Sequence, residues 1–348
     1  MNLELLTALT EAHGAPGRED AIRAIVVREL EPLVDSIHVD AMGSVHAVKR
    51  AESGAKKLMI AAHMDEIGFV VRHIDAGGFV RLHPLGGWDP WQMASQRVVV
   101  HAAEGDLPGL LAFSTKPKHM LTDAEAAAKP EVEGAFVDLG LPEEEVKRLV
   151  SVGDTVTMDR KLLRLGKLLS NKAMDDRVGV YVMIEAVRAA RSNGVEVHAI
   201  ATVQEESGLR GAAAAGAAIA PDIVVALDVT LANDFLGIPE ADHVTRLGHG
   251  TAIKVLDSSL ICHPKVVAHF RRLAETNQIP YQLEVLARGG TDAGGVQRLH
   301  GGIPSFTLSV PTRYIHTVNE TVHEDDLQAS VDLLARYIED AHNGDYTF

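Results

Sequence analysis

His63, Asp175, Glu206, Asp228 and His316 are residue types that ligate divalent metals, and each falls where an α/β sheet would present it. They stand in Ala61-Ala62-His63-Met64-Asp65, Lys172-Ala173-Met174-Asp175-Asp176-Arg177, Gln204-Glu205-Glu206-Ser207-Gly208, Leu227-Asp228-Val229-Thr230 and Tyr314-Ile315-His316-Thr317. Four of the five end or closely follow a short apolar run, and ligands of open α/β sheets collect beyond the carboxyl ends of the strands. Two metals about 3.5–4 Å apart need a bridging carboxylate and a base for the water. Asp175 suits the bridge, because one oxygen can go to each metal. Glu205 and Glu206 are adjacent acids at a strand end, so one can face a metal and the other the water. His63 can bind through one ring nitrogen while the other is oriented by a carboxylate, for which Asp65 is well spaced. Plainer uses exist for each group. Asp175-Asp176 could cap a helix, the glutamates could form a solvated turn, and His63 could be a surface histidine.

Other chemistries lack their signatures. There is no His-Glu-x-x-His helix, no G-x-S-x-G elbow and no G-x-x-x-x-G-K loop. The Gly-rich run Arg288-Gly289-Gly290-Thr291-Asp292-Ala293-Gly294-Gly295 lacks dinucleotide spacing. It reads as a loop approaching a ligand, with Gly290, Thr291 and Asp292 as candidate substrate contacts, or as a structural tight turn.

The elements that must position these residues follow from apolar periodicity. Ile22, Ile25, Val26, Leu30 and Leu33 form a helical stripe, and Ile37, Val39, Val45 and Ala47 alternate around Ala41-Met42-Gly43 as a hairpin. Leu58 to Ala62 reads as a buried strand ending at His63. From about 66 to 160 six short β-like runs recur, at 69–71, 79–82, 97–100, 109–111, 136–139 and 155–157, separated by turn residues. Such spacing predicts a small barrel or sandwich. After 170 helix and strand alternate. Asp175 opens a helix, Val195 to Val203 is a strand, an Ala-rich helix runs to Ala220, and Ile223 to Leu227 is a strand ended by Asp228. Ser305 to Val310 is another strand, and Leu327, Val331, Leu334 and Ile338 mark a last helix. The fold class is therefore α/β: a doubly wound mixed, largely parallel sheet with helices on both faces, plus an inserted small β-barrel or sandwich. The catalytic domain is expected over 1–65 and 161–348, with the insertion at 66–160.

The 348 residues carry a net charge of −15, which makes nucleic acid and anionic membranes unsuitable partners. The one cysteine, Cys262, allows no intrachain disulfide and no Cys-rich zinc motif. Met1-Asn2-Leu3-Glu4-Leu5-Leu6 does not read as a signal peptide, and no apolar run approaches the ~20 residues of a membrane span. A cytoplasmic setting is expected.

The chain resembles the glutamyl or deblocking aminopeptidase family, dinuclear metallo-aminopeptidases of clan MH whose members often form tetrahedral particles and are sometimes labelled cellulase M or endoglucanase. The resemblance spans nearly the whole chain. Besides the five segments above it rests on Glu66-Ile67-Gly68-Phe69, Gly86-Gly87-Trp88-Asp89-Pro90, Arg288 to Gly294 and Pro311-Thr312-Arg313. It implies removal of single residues from peptides with a free N-terminus, using two zinc or cobalt ions. It implies that Asp175 bridges them, that Glu206 and His316 complete one site and His63 and Asp228 the other, and that Glu205 is the general base; Asp65, beside His63, is expected as the other catalytic residue. It also implies that the insertion dimerises subunits, giving a homo-oligomer that is a dimer or, since dimers of the family can assemble further, a tetrahedral dodecamer. A glycoside hydrolase would instead need two carboxyl groups about 5–9.5 Å apart flanking a sugar, which leaves His63 and His316 without a role. A non-catalytic metal-binding scaffold leaves Glu205 without one.

Overall fold

The computed structural model describes residues 1–116 and 118–348. Its larger unit is an 11-stranded mixed sheet. Three successive parallel pairings make the centre, joining Glu196–Thr202, Lys57–His63, Ile223–Leu231 and Ser305–Arg313 in that order. These strands are near-continuous apolar runs because both faces are covered, as parallel strands require. The outer strands on this path pair antiparallel, while off it Thr251–Leu256 joins Ser305–Arg313 antiparallel and Tyr281–Val285 parallel. The hairpin Ser36–Val39 and Val45–Lys49 extends one side, where the Asp40 carboxylate accepts from the backbone N–H groups of Met42, Gly43 and Ser44 and closes the turn. Glu320–His323, Leu168–Asn171 and Leu163–Leu165 extend the other. Parallel pairing is thus concentrated at the centre and does not run through the whole sheet.

Helices pack in two separate groups against this sheet. Met174–Ala189 contacts Leu3–Glu11 and Glu324–Asp340, while Arg210–Ile219 contacts the short helix Asp292–Val296. In the last long helix Leu327, Val331, Leu334 and Ile338 are buried at helical spacing.

All six short β-like runs belong to one closed barrel, whose strands lie between Gly68 and Met158. The barrel has its own core around Phe69, Leu82, Val100 and Val156. The turn after its Val80–Leu85 strand comes close to two metal-ligand candidates. At Gly86 (φ 81°) an added Cβ would lie 3.0 Å from Glu206 Oε2, and at Gly87 one would lie 3.2 Å from His316 Nδ1. Among the described residues no helix is long and apolar enough to cross a membrane.

Candidate metal centre

The sheet brings all five ligand candidates together. His63 closes its strand as expected. Ala226 pairs with Ala61, which carries Asp228 level with His63 two residues on. Asp228 does not end its strand, however. The strand continues to Leu231 because Val229, Thr230 and Leu231 keep pairing with the Ser305–Arg313 strand. Nor does Asp175 open a regular helix turn. Asp175 and Asp176 have non-helical backbone angles at the start of the Met174–Ala189 segment, and the two acids divide the work. Asp176 accepts from Gly179 N at 3.0 Å, as a helix cap, and from His63 N at 3.3 Å. Asp175 is left free to face the histidines. Glu205 and Glu206 follow the Glu196–Thr202 strand, and His316 follows Ser305–Arg313 in a left-handed backbone (φ 60°).

Two donor groups result. His63, Asp175 and Asp228 form one, and Asp175, Glu206 and His316 the other, with the donor atoms of each within 4.8 Å of one another. Asp175 belongs to both. Its Oδ1 is 3.2 Å from His63 Nε2 and its Oδ2 is 3.3 Å from His316 Nε2. His316 Nε2 is also 3.2 Å from Glu206 Oε1. Glu205 Oε2 stands 4.0 Å from His63 Nε2.

The electrostatics agree with a site built for cations. Burial raises the carboxyl groups of Glu205, Glu206 and Asp228, and neighbouring acids raise them further. Burial alone would push His63 and His316 down. The carboxylates beside them outweigh it, holding His63 well above its ordinary range and His316 at about 12. The same contacts outweigh burial at Asp175 and lower it. Positive charge placed among these carboxyl groups would favour their ionised, ligating form. Oxygen and imidazole donors in two groups sharing one acid fit divalent metal binding.

Surrounding groups hold this set. The Asp65 carboxylate accepts from Glu205 N at 3.0 Å and Glu206 N at 3.1 Å. His63 Nδ1 is 3.0 Å from the Asp65 backbone oxygen and 3.6 Å from its carboxylate, so the main chain, not the acid, sets the imidazole. Glu320 accepts from Asp175 N and His316 N, a role that sequence reasoning missed because nothing local marks it.

A cavity of ≈ 500 Å³ opens in front of the donor groups, lined in part by Leu209, Leu231, Leu286, Arg288, Gly290 and Ile315. Of the three candidate substrate contacts only Gly290 lines it. Thr291 and Asp292 are buried, their side chains used by Asp257 and Thr307 and by Thr202 respectively.

Residues 43–333 match the model of the M42 glutamyl aminopeptidase family. The chain is 32% identical to the lysyl aminopeptidase of Pyrococcus furiosus over 99% of each chain. It superposes on an aminopeptidase from the archaeon Desulfurococcus kamchatkensis with a TM-score of 0.92 at 40% identity, covering 97% of this chain and 94% of that one. A Pyrococcus horikoshii TET1 peptidase that can assemble into a tetrahedron or a large octahedral shell matches with a TM-score of 0.86 at 29% identity, covering 96% and 98%. A shared-acid donor pair at the mouth of a parallel sheet, the inserted barrel and these likenesses converge: the chain belongs to the M42 glutamyl aminopeptidase family and is an aminopeptidase, a hydrolase of peptide bonds.

Proposed function

We propose that two divalent ions, zinc or cobalt, are held one by His63, Asp175 and Asp228 and the other by Asp175, Glu206 and His316. The observation that carries this reading is the division of the Asp175 oxygens between two histidines. The ions would supply acidification of a water molecule and polarisation of the scissile carbonyl. Glu205, beside both groups and bound to neither, accepts a proton from the attacking water and delivers it to the leaving amine. Asp65 fixes the Glu205-Glu206 backbone so that the two carboxylates face different tasks. The cavity receives the N-terminal residue, and its acid-lined end attracts the free α-ammonium, which favours exopeptidase action.

The Gly68–Met158 barrel serves as the dimerisation module in this reading, and the particle is a homo-oligomer, a dimer or a dodecamer. Trp91, Leu110 and Val152 of that region are exposed apolar side chains, and the Pyrococcus horikoshii relative can assemble into a tetrahedron or a large octahedral shell. A reducing cytoplasm suits the lone buried Cys262. The test compares aminoacyl-p-nitroanilides with a β-glucan, each with and without chelator. Chelator-sensitive release of nitroaniline with no glucan cleavage is expected. Glucan cleavage, or amide hydrolysis indifferent to chelator, would overturn the assignment.

A further inference from the structure

Glu320 opens the strand Glu320–His323, which lies between two others. On one side Asn171 pairs with Glu320, and four residues later that chain reaches Asp175. On the other side Arg313 pairs with Thr321, and three residues later that chain reaches His316. The residue therefore stands at the fork where two ligand-bearing segments leave the sheet.

Its side chain spans the fork. Oε2 accepts from Asp175 N at 2.9 Å and Oε1 accepts from His316 N at 2.7 Å. The side chain is buried, 1% exposed, so no solvent competes for either bond. The His316 bond matters most, because both Tyr314 (φ 61°) and His316 (φ 60°) are left-handed, a conformation that residues with a Cβ resist. A buried carboxyl oxygen accepting from the His316 N–H holds that backbone in place.

We propose that Glu320 is a positioning residue of the metal centre: one carboxylate ties the backbone of the shared acid to that of the opposing histidine and so sets the distance between them. The role rests on the two-ion reading above. Glu320 holds two members of the Asp175–Glu206–His316 group and only one of the His63–Asp175–Asp228 group. Its loss should therefore weaken the two ions unequally.

The replacements separate the paired acceptors from shape and reach. Glu320→Gln keeps the shape but turns an NH₂ toward one of the two N–H donors, so one bond is lost. Glu320→Asp keeps both acceptor oxygens but is one methylene short. Chelator-treated full-length protein is titrated with Zn²⁺ and with Co²⁺, following heat and the cobalt absorption spectrum. The wild type should take up two ions. In Glu320→Gln one of them should bind about 10–100-fold more weakly, the usual effect of removing an outer partner of a ligand. The cobalt bands of that equivalent should change, while those of the tighter ion persist. Glu320→Asp should recover part of the lost affinity, and excess metal should restore kcat with KM unchanged. Equal binding of both ions by the wild type and Glu320→Gln overturns the proposal while leaving the two-ion reading intact. A wild type that takes up fewer than two ions overturns that reading and this role with it. If neither variant folds before metal is added, Glu320 serves the fold and the proposal is overturned.

Discussion

Gly86→Ala reaches the metal centre from the barrel side. Its new Cβ would lie 2.4 Å from Ile67 Cγ2 and 3.0 Å from Glu206 Oε2. Non-bonded carbons settle at about 3.5–4.0 Å, so the turn and Ile67 must separate by about 1 Å. The left-handed backbone at Gly86 adds about 1 kcal/mol for any residue with a Cβ, and overpacking about 1–3 kcal/mol. The expected loss of stability is therefore about 2–4 kcal/mol. The functional loss should be larger than stability alone explains, because a misplacement of about 1 Å in a catalytic group costs about 10²-fold in rate. Gly87→Ala is the graded comparison. There, among the described residues, the only close neighbour of the new Cβ is the His316 ring, 3.2 Å away at Nδ1, and a shift of a few tenths of an ångström relieves it. Urea unfolding with chelator present would give the stability term. kcat on an aminoacyl-p-nitroanilide at saturating zinc would give the rate term for folded protein. The order wild type, Gly87→Ala, Gly86→Ala is expected in both. A Gly86→Ala protein that is less stable yet keeps wild-type kcat and zinc affinity would refute the claim that this turn seats Glu206.

Glu205→Gln should keep both ions and lower kcat by about 10²–10⁴ with little change in KM. Glu206→Gln should instead lose metal and be partly rescued by excess. Metal content and kcat of the two proteins check this, and reversed behaviour would exchange their roles. His13 joins the two units, its Nδ1 2.7 Å from the Thr157 hydroxyl, which also lies 2.9 Å from His101 Nε2. Burial, then the Lys172 charge, push His13 down to about 4 from an ordinary 6.5, while Glu66 and Asp106 act in the opposite sense. The fold therefore favours the neutral ring. Its contribution is whole above pH 6.5 and is lost as pH falls from there through about 4. The gap is worth about 3 kcal/mol at full burial and about 2 kcal/mol for a ring that solvent partly reaches. Urea unfolding of apo protein should show the wild type losing that much more than His13→Asn over this interval, and parallel pH curves would contradict it.

Much of the framework was legible because its determinants are local. Leu58 to Ala62 and Ile223 to Leu227 are buried central strands, and their apolar runs say so without help from the rest of the chain. The six barrel strands were visible for a similar reason, since turn residues punctuate them. Boundaries were less so. The strand carrying Asp228 runs on to Leu231 because its partner continues alongside, which no local pattern announces. The amphipathic helix Pro264–Thr276 buries Val266, Phe270, Leu273 and Ala274 at helical spacing, yet polar neighbours mask that stripe in the sequence. Ligand types were legible as acids and histidines after strands. Their supports were not. Glu320 is an acid in a polar stretch until two strands from distant parts of the chain enclose it. Asp65 was expected to orient His63 with its carboxylate, and only the folded main chain shows that carboxylate turned to the Glu205 and Glu206 N–H groups. Thr291 and Asp292 were drawn toward substrate by the glycines beside them, but the fold buries both.

We propose a pair of ions sharing Asp175, the residue common to both donor groups. Elemental analysis of active, extensively dialysed full-length protein, read against its aminopeptidase activity during stepwise metal removal and return, tests it most directly. Two transition-metal ions per chain are predicted, with activity lost on their removal and regained as the second returns. A fully active preparation holding no transition metal would contradict the account.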